Sequence, residues 1–439
     1  MICYLLKYII FSRYFMDNLL KIMSLLKESK SPFHVVSNIK SILLENGFVE
    51  MKEEDEIKED GKYFYSRNGS ALIAFAIKRS DTYAKIIEAH VDSPSFKLKQ
   101  NPIVNNSSLR LLNTEPYGGG IYYSWLDRPL GVAGRALFKK NGVVSSILVD
   151  LDASFIIPSL AIHMNRDVNN SFSLDPKKDL LPLIGESGEN DLKKVLETQY
   201  KEKGEVISFD LFLYSKEEPT LIGLDKSMLS SCKLDDLSSV YSSLLGFIAS
   251  SMKNGINVVA YFDSEEVGSM TYQGADSDLL RSLFAKFSTY TKKSIISLQR
   301  KSFCISADNA HACHPAFIEL MDKTSPVYLN KGITIKYNAN QKYTSDGFSS
   351  AIMKEIFNLS NLSYQEFSNR SDLRGGSTLG DISISQISIR TVDIGIPQLA
   401  MHSSYETLGV KDLLDMVKLS ACFFDLDLDI SEDEFKVTR

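Results

Sequence analysis

The sequence predicts an α/β fold that is interrupted by a β-rich insertion. Apolar runs at 71–77, 257–262 and 303–307 have the length of buried strands, and they alternate with segments of helical apolar spacing. Between residues 96 and 210 the pattern changes to short alternating runs with many glycines and aromatics, which favours a β-rich unit. With 439 residues, 44% of them hydrophobic, the chain is long enough for about two or three domains.

The α/β part can be followed element by element. Two helices are predicted at 17–30 and 31–47, the second opening with Ser31-Pro32 as N-cap and first-turn proline. Residues 51–62 are a charged connection, which we interpret as a solvated loop. The remaining elements are predicted as strands at 71–77, 84–89, 257–262, 303–307 and 390–399 and as helices at 237–253, 276–292, 347–359 and 411–426.

The first 15 residues differ from the chain that follows. Lys7 and Arg13 interrupt their apolar runs, which are too short for the roughly 20 residues that cross a bilayer, and no small-residue cleavage site follows. Met16 opens a cleaner start, so Met1 and Met16 are both candidate initiation residues. We therefore predict an α/β domain at 16–95 and 230–439, an inserted β-rich assembly domain at 96–229, and an uninformative N-terminal extension at 1–15.

Charge and cysteine content limit the partners and the compartment. The net charge of -6 lacks the clustered basic excess of a nucleic-acid-binding surface. The five cysteines are scattered and form no CxxC pair, which indicates reduced thiols. We therefore expect a cytoplasmic protein whose partners are small molecules or proteins, with no nucleic acid and no membrane.

Residues 263–269 (DSEEVGS) form a carboxylate-rich turn after the predicted strand 257–262. Ligands bind at the ends of strands in α/β sheets, because the loops there converge on one crevice. Neighbouring side chains on an irregular turn point in different directions, so one of Glu265 and Glu266 can bind a metal while the other takes a proton. An isolated pair of glutamates is more often a solvated turn, so this interpretation depends on the rest of the chain.

Other candidate ligands also follow predicted strands or begin predicted helices of the α/β part: His90, Asp235, Asp308 and His402. His90 and Asp92 face the same side of an extended chain, where the carboxylate can fix the orientation of the imidazole. An N-cap aspartate or a structural histidine would explain each residue taken alone. Together, imidazoles and carboxylates without thiolates suit Zn²⁺ or a similar divalent ion, and two such ions can activate water for amide hydrolysis.

Seven motifs, in their order and wording, resemble the aspartyl aminopeptidase family, which includes the vacuolar aminopeptidase I type. The resemblance covers nearly the whole chain from about Asp17. The motifs are AHVDSP (89–94), YGGGIYYSWLDRPLGVAGR (117–135), IPSLAIHMNRDVN (157–169), KLDD (233–236), DSEEVGS (263–269), SADNAHACHP (306–315) and RTVDIGIPQLAMHSSYE (390–406). The resemblance implies a dinuclear-zinc exopeptidase with an α/β catalytic domain, a β-rich insertion used for assembly, and a homo-oligomer, typically a tetrahedral dodecamer.

The resemblance also implies a set of metal ligands. Asp235 would bridge two ions, with Glu266 and His402 completing one ion and His90 and Asp308 completing the other. Zn²⁺ is the expected metal, and Co²⁺ and Mn²⁺ are alternatives.

Catalytic and substrate-binding roles follow from the same resemblance. Glu265 would be the general base and Asp92 the partner that orients His90. His163 matches a histidine of the family and would be either a further ligand or a substrate contact presented by a neighbouring subunit. The substrate pocket would contain His311, Lys336 and Tyr343. The lysine would suit an acidic side chain of a peptide substrate.

Two motifs depart from the pattern of the family. KLDD (233–236) replaces the usual Arg-Leu-Asp-Asn and places a further carboxylate beside Asp235, and RGGSTLGDI (374–382) differs from the usual Cys-Gly-Thr-Thr-containing version. Both departures bear on substrate preference more than on the reaction. The leading hypothesis is a metal-dependent aminopeptidase. The alternatives are a dinuclear deacylase of small amides and a catalytically silent assembly protein, although every matched position is filled.

Overall fold

The computed structural model describes residues 16–106, 108–186, 191–373 and 375–439. The helices described are α1 (16–28), α2 (Pro32–Glu45), α3 (Pro176–Asp179), α4 (Leu192–Gln199), α5 (Leu234–Ala249), α6 (Leu279–Thr291), α7 (Ile295–Lys301), α8 (Gly347–Ser360), α9 (Leu379–Gln386) and α10 (Val410–Asp425). The first eleven strands are β1 (Val49–Glu50), β2 (Gly61–Arg67), β3 (Ala71–Ile77), β4 (Ala84–His90), β5 (Ser95–Asn106), β6 (Leu109–Tyr117), β7 (Leu130–Lys140), β8 (Val143–Asp150), β9 (Leu183–Glu186), β10 (Glu205–Ser215) and β11 (Thr220–Ile222). The later strands are β12 (Met228–Ser231), β13 (Ile256–Phe262), β14 (Phe303–Ala307), β15 (Ala310–His311), β16 (Ile333–Tyr337), β17 (Tyr364–Ser368), β18 (Arg390–Gly395), β19 (Pro397–Leu399), β20 (Glu406–Gly409), β21 (Asp427–Ile430) and β22 (Phe435–Thr438).

A sheet of nine strands forms the centre of the molecule, in the order β1-β2-β3-β13-β4-β14-β18-β16-β17. The four strands β13, β4, β14 and β18 run parallel to one another, and antiparallel strands β3 and β16 lie on either side of them. Every residue of β3, β4, β13 and β14 is buried, which explains why these strands are almost continuous apolar runs in the sequence. The carboxyl ends of the parallel strands meet at one edge of the sheet.

Helices cover both faces of this sheet, which gives the fold its α/β class. Alternate residues of β3 point to opposite faces, so Leu72 and Ala74 join the core beneath α1, α2, α5, α8 and α10, whereas Ile73 and Phe75 join the core beneath α6, α7 and α9. Burial of the apolar faces of these helices against the sheet supplies most of the hydrophobic stabilisation. Within the described residues, no helix is both long enough and apolar enough to cross a membrane.

Strands β5 to β10 form a separate antiparallel sheet of six strands in the order β8-β7-β10-β5-β6-β9. Its own core includes Phe96 and Trp125, whose rings meet edge to face with centroids 5.2 Å apart. This unit lies against the amino-terminal helices through Arg135, whose guanidinium lies over the Phe33 ring at 4.5 Å, and through an ion pair of Lys30 with Asp150 at 2.8 Å.

A third sheet brings distant parts of the chain together in the order β11-β12-β20-β19-β15. Strand β12 leads into α5, and β20 leads into α10. The register pairs Ser231 of β12 with Glu406 of β20. This pairing places the start of α5 next to the turn between β19 and β20.

Three local predictions differ from the structure. The interpretation of 51–62 as a loop is wrong at its end, because Gly61 begins β2, which pairs with β3 and carries the further short strand β1 at its outer edge. The single predicted strand 390–399 is two strands in two different sheets, since the chain leaves the central sheet at Ile396. The N-cap explanation of Asp235 is also wrong, because Lys233 occupies the N-cap position and Asp235 has non-helical dihedral angles.

Candidate metal centre

Three neighbouring strands bring candidate ligands to the carboxyl edge of the central sheet. His90 is the last residue of β4, and Asp308 directly follows β14. Glu265 and Glu266 lie in a short 3₁₀ turn that begins after Ser264, whose φ of 68° reverses the chain beyond β13. These four side chains therefore start from adjacent positions on one edge of the sheet.

The third sheet adds Asp235 and His402 from the other side. Asp235 lies in the irregular first turn of α5, and His402 lies in the turn between β19 and β20 with φ of 67°. Glu406 fixes both residues, because its Oε2 accepts the main-chain N–H of Asp235 at 3.0 Å and its Oε1 accepts that of His402 at 2.7 Å. Glu406 was not singled out from the sequence, where one glutamate after a polar turn carries no distinguishing signal.

The two oxygens of Asp235 face two different histidines. Asp235 Oδ1 lies 3.3 Å from His90 Nε2, and Asp235 Oδ2 lies 3.6 Å from His402 Nε2. Glu266 Oε1 lies 3.6 Å from the same nitrogen of His402, and Asp308 Oδ1 lies 3.9 Å from His90 Nε2. The residues predicted as metal ligands, apart from His163, thus lie close together, and the predicted base Glu265 lines the same cavity as His90 and His402.

The donor set suits divalent metal ions. Asp235 Oδ1 and Glu266 Oε1 are buried, and neither receives a hydrogen bond from any part of the chain that the structure describes. Ligand atoms of a tetrahedral zinc site are separated by about 3.3 Å, given bonds of about 2.0–2.1 Å, and the distances between Asp235, Glu266 and the two histidines are close to this value. Ligand atoms of His90, Asp235 and Glu266 all lie within 4.8 Å of one another. Buried carboxylate oxygens without a hydrogen bond are costly, and a cation bound here would remove that cost.

Asp92 holds the carboxylate turn against His90. Its Oδ1 accepts the main-chain N–H of Glu265 at 3.1 Å, and its Oδ2 accepts that of Glu266 at 3.2 Å. The Nδ1 of His90 lies 3.1 Å from the main-chain oxygen of Asp92 and 3.5 Å from Oδ1. Through these contacts Asp92 directs the Nε2 of His90 towards Asp235.

Burial and neighbouring charges shift the pKa of several groups in this cluster. Burial, helped by the carboxylates of Asp308 and Asp92, raises the pKa of Glu265 to about 8 despite the opposing effect of His90. Burial also raises the pKa of Asp308 to about 6, against the effect of Lys336. Burial opposes protonation of His402, but its contacts with Asp235 and Glu266 outweigh this and raise its pKa to about 10. Metal binding at these groups would therefore release protons.

A cavity of about 120 Å³ opens beside the candidate ligands. The three predicted substrate contacts line it, together with the small-residue loop 376–378: His311, Lys336 and Tyr343. The Lys336 ammonium is buried, lies over the Tyr343 ring at 5.1 Å, and donates to the main-chain oxygens of Asp308 at 2.8 Å and Asn309 at 3.3 Å. Arg374, the first residue of the predicted small-residue loop, lies outside the described residues.

His163 and Asp236 differ from the other residues. His163 is exposed on a turn of the six-stranded unit and lies neither in the cavity lining nor among the ligand groups of the described residues. Asp236, the additional carboxylate noted in the KLDD motif, is fully buried, and its ligand atom groups with those of His90 and Asp308 within 4.8 Å. Burial raises the pKa of Asp236 well above its ordinary value.

Imidazoles and carboxylates lie together at the carboxyl edge of a largely parallel α/β sheet, beside a cavity that contains Glu265. This arrangement is typical of a metal-dependent hydrolase. The chain matches the family model of the aminopeptidase I zinc metalloproteases (M18) over residues 25–424. It belongs to this family and is therefore a zinc metallo-aminopeptidase by class, which confirms the resemblance, the fold class and the enzyme class predicted from the sequence.

Relatives and solved structures agree over nearly the full length. The probable M18 family aminopeptidase 2 of Clostridium acetobutylicum is 43% identical over 425 residues, covering 92% of this chain and 98% of its own. Aspartyl aminopeptidase 4 of Saccharomyces cerevisiae is 35% identical over 458 residues, with 92% and 93% coverage. The S. cerevisiae mApe1 dodecamer is similar with a TM-score of 0.82 at 28% identity, covering 94% of this chain and 97% of that chain.

Proposed function

We propose that this protein removes N-terminal residues from peptides by hydrolysis at a dinuclear zinc site. The observation that carries the proposal is the placement of Asp235, whose two oxygens lie 3.3 Å and 3.6 Å from the Nε2 atoms of two separate histidines. One carboxylate shared in this way can bridge two ions. His90 and Asp308 would complete one position, and His402 and Glu266 would complete the other.

The reaction that we propose assigns a separate task to Glu265. When bound, the two ions supply a water of lowered pKa and polarise the carbonyl of the scissile bond. The Glu265 carboxylate takes a proton from the attacking water and then gives it to the departing amine. Glu265 lines the cavity beside the candidate ligands, which is where a general acid–base group has to lie. Co²⁺ and Mn²⁺ are alternative ions, since the same oxygen and nitrogen ligands bind both.

Lys336 supports a preference for acidic N-terminal residues. Two of its three N–H donors bind main-chain oxygens, and the nearest oxygen of the Asp308 carboxylate lies 3.6 Å away, beyond a hydrogen bond. One N–H donor therefore remains for a substrate carboxylate. Burial opposes the charged form, but Asp308, Tyr343, Asp393 and Asp235 together outweigh it and raise the pKa of Lys336, so the charge persists at neutral pH. The relative named aspartyl aminopeptidase 4 supports the same preference.

A homo-oligomer would explain the apolar surface around His163. The segment 156–172 exposes large hydrophobic side chains, which mark a protein contact when they lie together: Ile156, Leu160, Ile162, Met164 and Phe172. Burial of this segment against a second copy would bring His163 to the active site of that copy as a substrate contact. We propose an assembly of this kind, and the mApe1 dodecamer suggests twelve subunits.

The cytoplasm is the proposed compartment. The described cysteines are all unpaired: Cys232, Cys304, Cys313 and Cys422. Free thiols persist in a reducing compartment, and this supports the expectation from the sequence.

Paired substrates test the proposed reaction against the deacylase alternative. We expect the zinc-loaded protein to cleave aminoacyl anilides with a free α-amine and to leave their N-acetylated forms intact. The metal-free protein should cleave neither. Cleavage of the acetylated forms alone would replace the aminopeptidase with a deacylase.

A further inference from the structure

We infer that the segment 117–124 (YGGGIYYS), which runs from the end of β6 in the six-stranded unit, is part of the metal centre and positions both histidines. Tyr117 contacts Asp92 next to His90, and the main-chain oxygen of Gly119 contacts the ring of His402. The inference rests on the proposed metal centre, but it adds positioning residues from outside the central sheet. It also makes metal binding a joint property of two structural units of the chain.

Tyr117 completes the hydrogen bonding of Asp92. The Tyr117 hydroxyl donates to Asp92 Oδ2 at 2.8 Å, on the oxygen that also accepts the main-chain N–H of Glu266. The other oxygen of Asp92 lies 3.5 Å from His90 Nδ1. The hydroxyl therefore fixes the plane of the carboxylate that orients the imidazole of His90. Groups that orient a ligand in this way affect metal affinity about 10- to 100-fold.

Gly119 has the corresponding role at His402. Its main-chain oxygen lies 2.9 Å from His402 Nδ1, which leaves Nε2 directed at Asp235 and Glu266. The main-chain N–H of Ile121 donates to the main-chain oxygen of His402 at 2.9 Å. The segment thus holds both the ring and the backbone of a residue whose φ of 67° is unusual for a side chain with a Cβ.

The chain between these contacts passes close to Glu266, and a residue larger than glycine would strain that approach. Gly118 has φ of 73°, and a Cβ at this position would lie 3.0 Å from Glu266 Cβ and 3.4 Å from Glu266 Oε2. The segment is anchored in the six-stranded sheet, because the Tyr117 ring packs edge to face on Phe212 of β10 with centroids 5.4 Å apart. Displacement of that sheet would therefore move the groups that hold His90 and His402.

The first test compares Tyr117→Phe with a matched control. Phenylalanine keeps the ring on Phe212 and removes only the hydroxyl. The control is Tyr290→Phe. In the wild type, the hydroxyl of Tyr290, which lies near the carboxyl end of α6, donates to Asp60 at 2.7 Å. Zinc affinity is measured by competition with a chromophoric chelator, and the melting temperature is measured on the metal-free proteins. We expect Tyr117→Phe to weaken zinc binding about 10- to 100-fold at one position while its metal-free melting temperature stays close to that of the control.

A glycine pair tests the close approach independently. Gly118→Ala and Gly142→Ala both place a Cβ on a backbone of positive φ, 73° and 82°, but the Cβ at position 142 has no atom within 4 Å. The backbone strain is thus matched, and only Gly118→Ala pushes against Glu266. We expect zinc affinity to fall in Gly118→Ala and to stay at the wild-type value in Gly142→Ala.

The outcomes separate the inference from the proposed function. Zinc affinity of Tyr117→Phe and Gly118→Ala within twofold of wild type would overturn the inference and leave the aminopeptidase untouched. A wild-type protein that binds zinc but cleaves no aminoacyl substrate would overturn the proposed function, and the affinities of the variants would still decide the inference. A wild-type protein without zinc affinity would overturn both.

Discussion

Replacing Glu265 with glutamine tests the assignment of the general base. The variant keeps the shape of the side chain in the cavity, and it keeps the main-chain N–H that donates to Asp92 Oδ1 at 3.1 Å. Retention of the metals is expected, because Glu265 is assigned the role of base and none of the ligand positions.

The expected loss lies in the chemical step. A positioned acid or base contributes about 10²- to 10⁴-fold, which corresponds to about 2.7–5.4 kcal/mol of barrier. We expect kcat of Glu265→Gln to fall by this factor with little change in KM or zinc content. Initial rates on an aminoacyl anilide and elemental analysis measure these quantities, and Glu50→Gln, which changes a glutamate in an exposed ion pair with Lys40, is the control. A kcat within threefold of wild type, with zinc bound, would refute the assignment.

Three further predictions concern the pocket, the core and the assembly. Lys336→Met should lower the ratio of kcat/KM for aspartyl over leucyl substrates about 10- to 100-fold, because a charged hydrogen bond of about 1.5–3 kcal/mol is lost. The control is the exposed Lys342→Met. An unchanged ratio, or an equal change in the control, would show that Lys336 does not select the substrate. Burial raises the pKa of Glu88 to about 8 from 4.5, so the folded state keeps a proton that the unfolded state loses, and stability should fall as pH rises from 5 to 8, by roughly 4 kcal/mol. In denaturant unfolding, the decrease should be smaller in Glu88→Gln than in the wild type by this amount, and a wild-type slope in the variant would show that Glu88 does not contribute to it. Inactive His163→Ala and inactive Glu265→Gln should regain activity when their subunits are mixed and reassembled, because the Glu265→Gln chain then supplies the histidine that the His163→Ala chain lacks. No recovery in verified mixed oligomers would show that His163 does not act between subunits.

The parts that could be predicted from the sequence are those with a local signal. Strands β3, β4, β13 and β14 are buried on both faces, so they are apolar runs that any reader of the sequence can recognise. Ionisable residues directly after such runs stand out, and the structure places His90 and Asp308 together for this reason. The roles assigned to them remain predictions.

The parts that could not be predicted depend on contacts between distant segments. Glu406 binds the main-chain N–H of Asp235, 171 positions away, and Gly119 meets His402 across 283 positions. Neither contact has a periodic pattern or a local spacing that could reveal it. The break at Ile396 is similar, because two apolar strands in one run can be told apart only by the sheets that they join.

The most direct test of the dinuclear centre is a titration of the metal-free protein with zinc, with hydrolysis of Asp, Glu, Leu and Lys chromogenic substrates followed at each step. We expect activity to rise until about two equivalents are bound per chain and to disappear when a chelator removes them. Asp235→Asn should bind zinc more weakly at both positions. Full activity at one equivalent, or no activity on any substrate with two ions bound, would contradict the account.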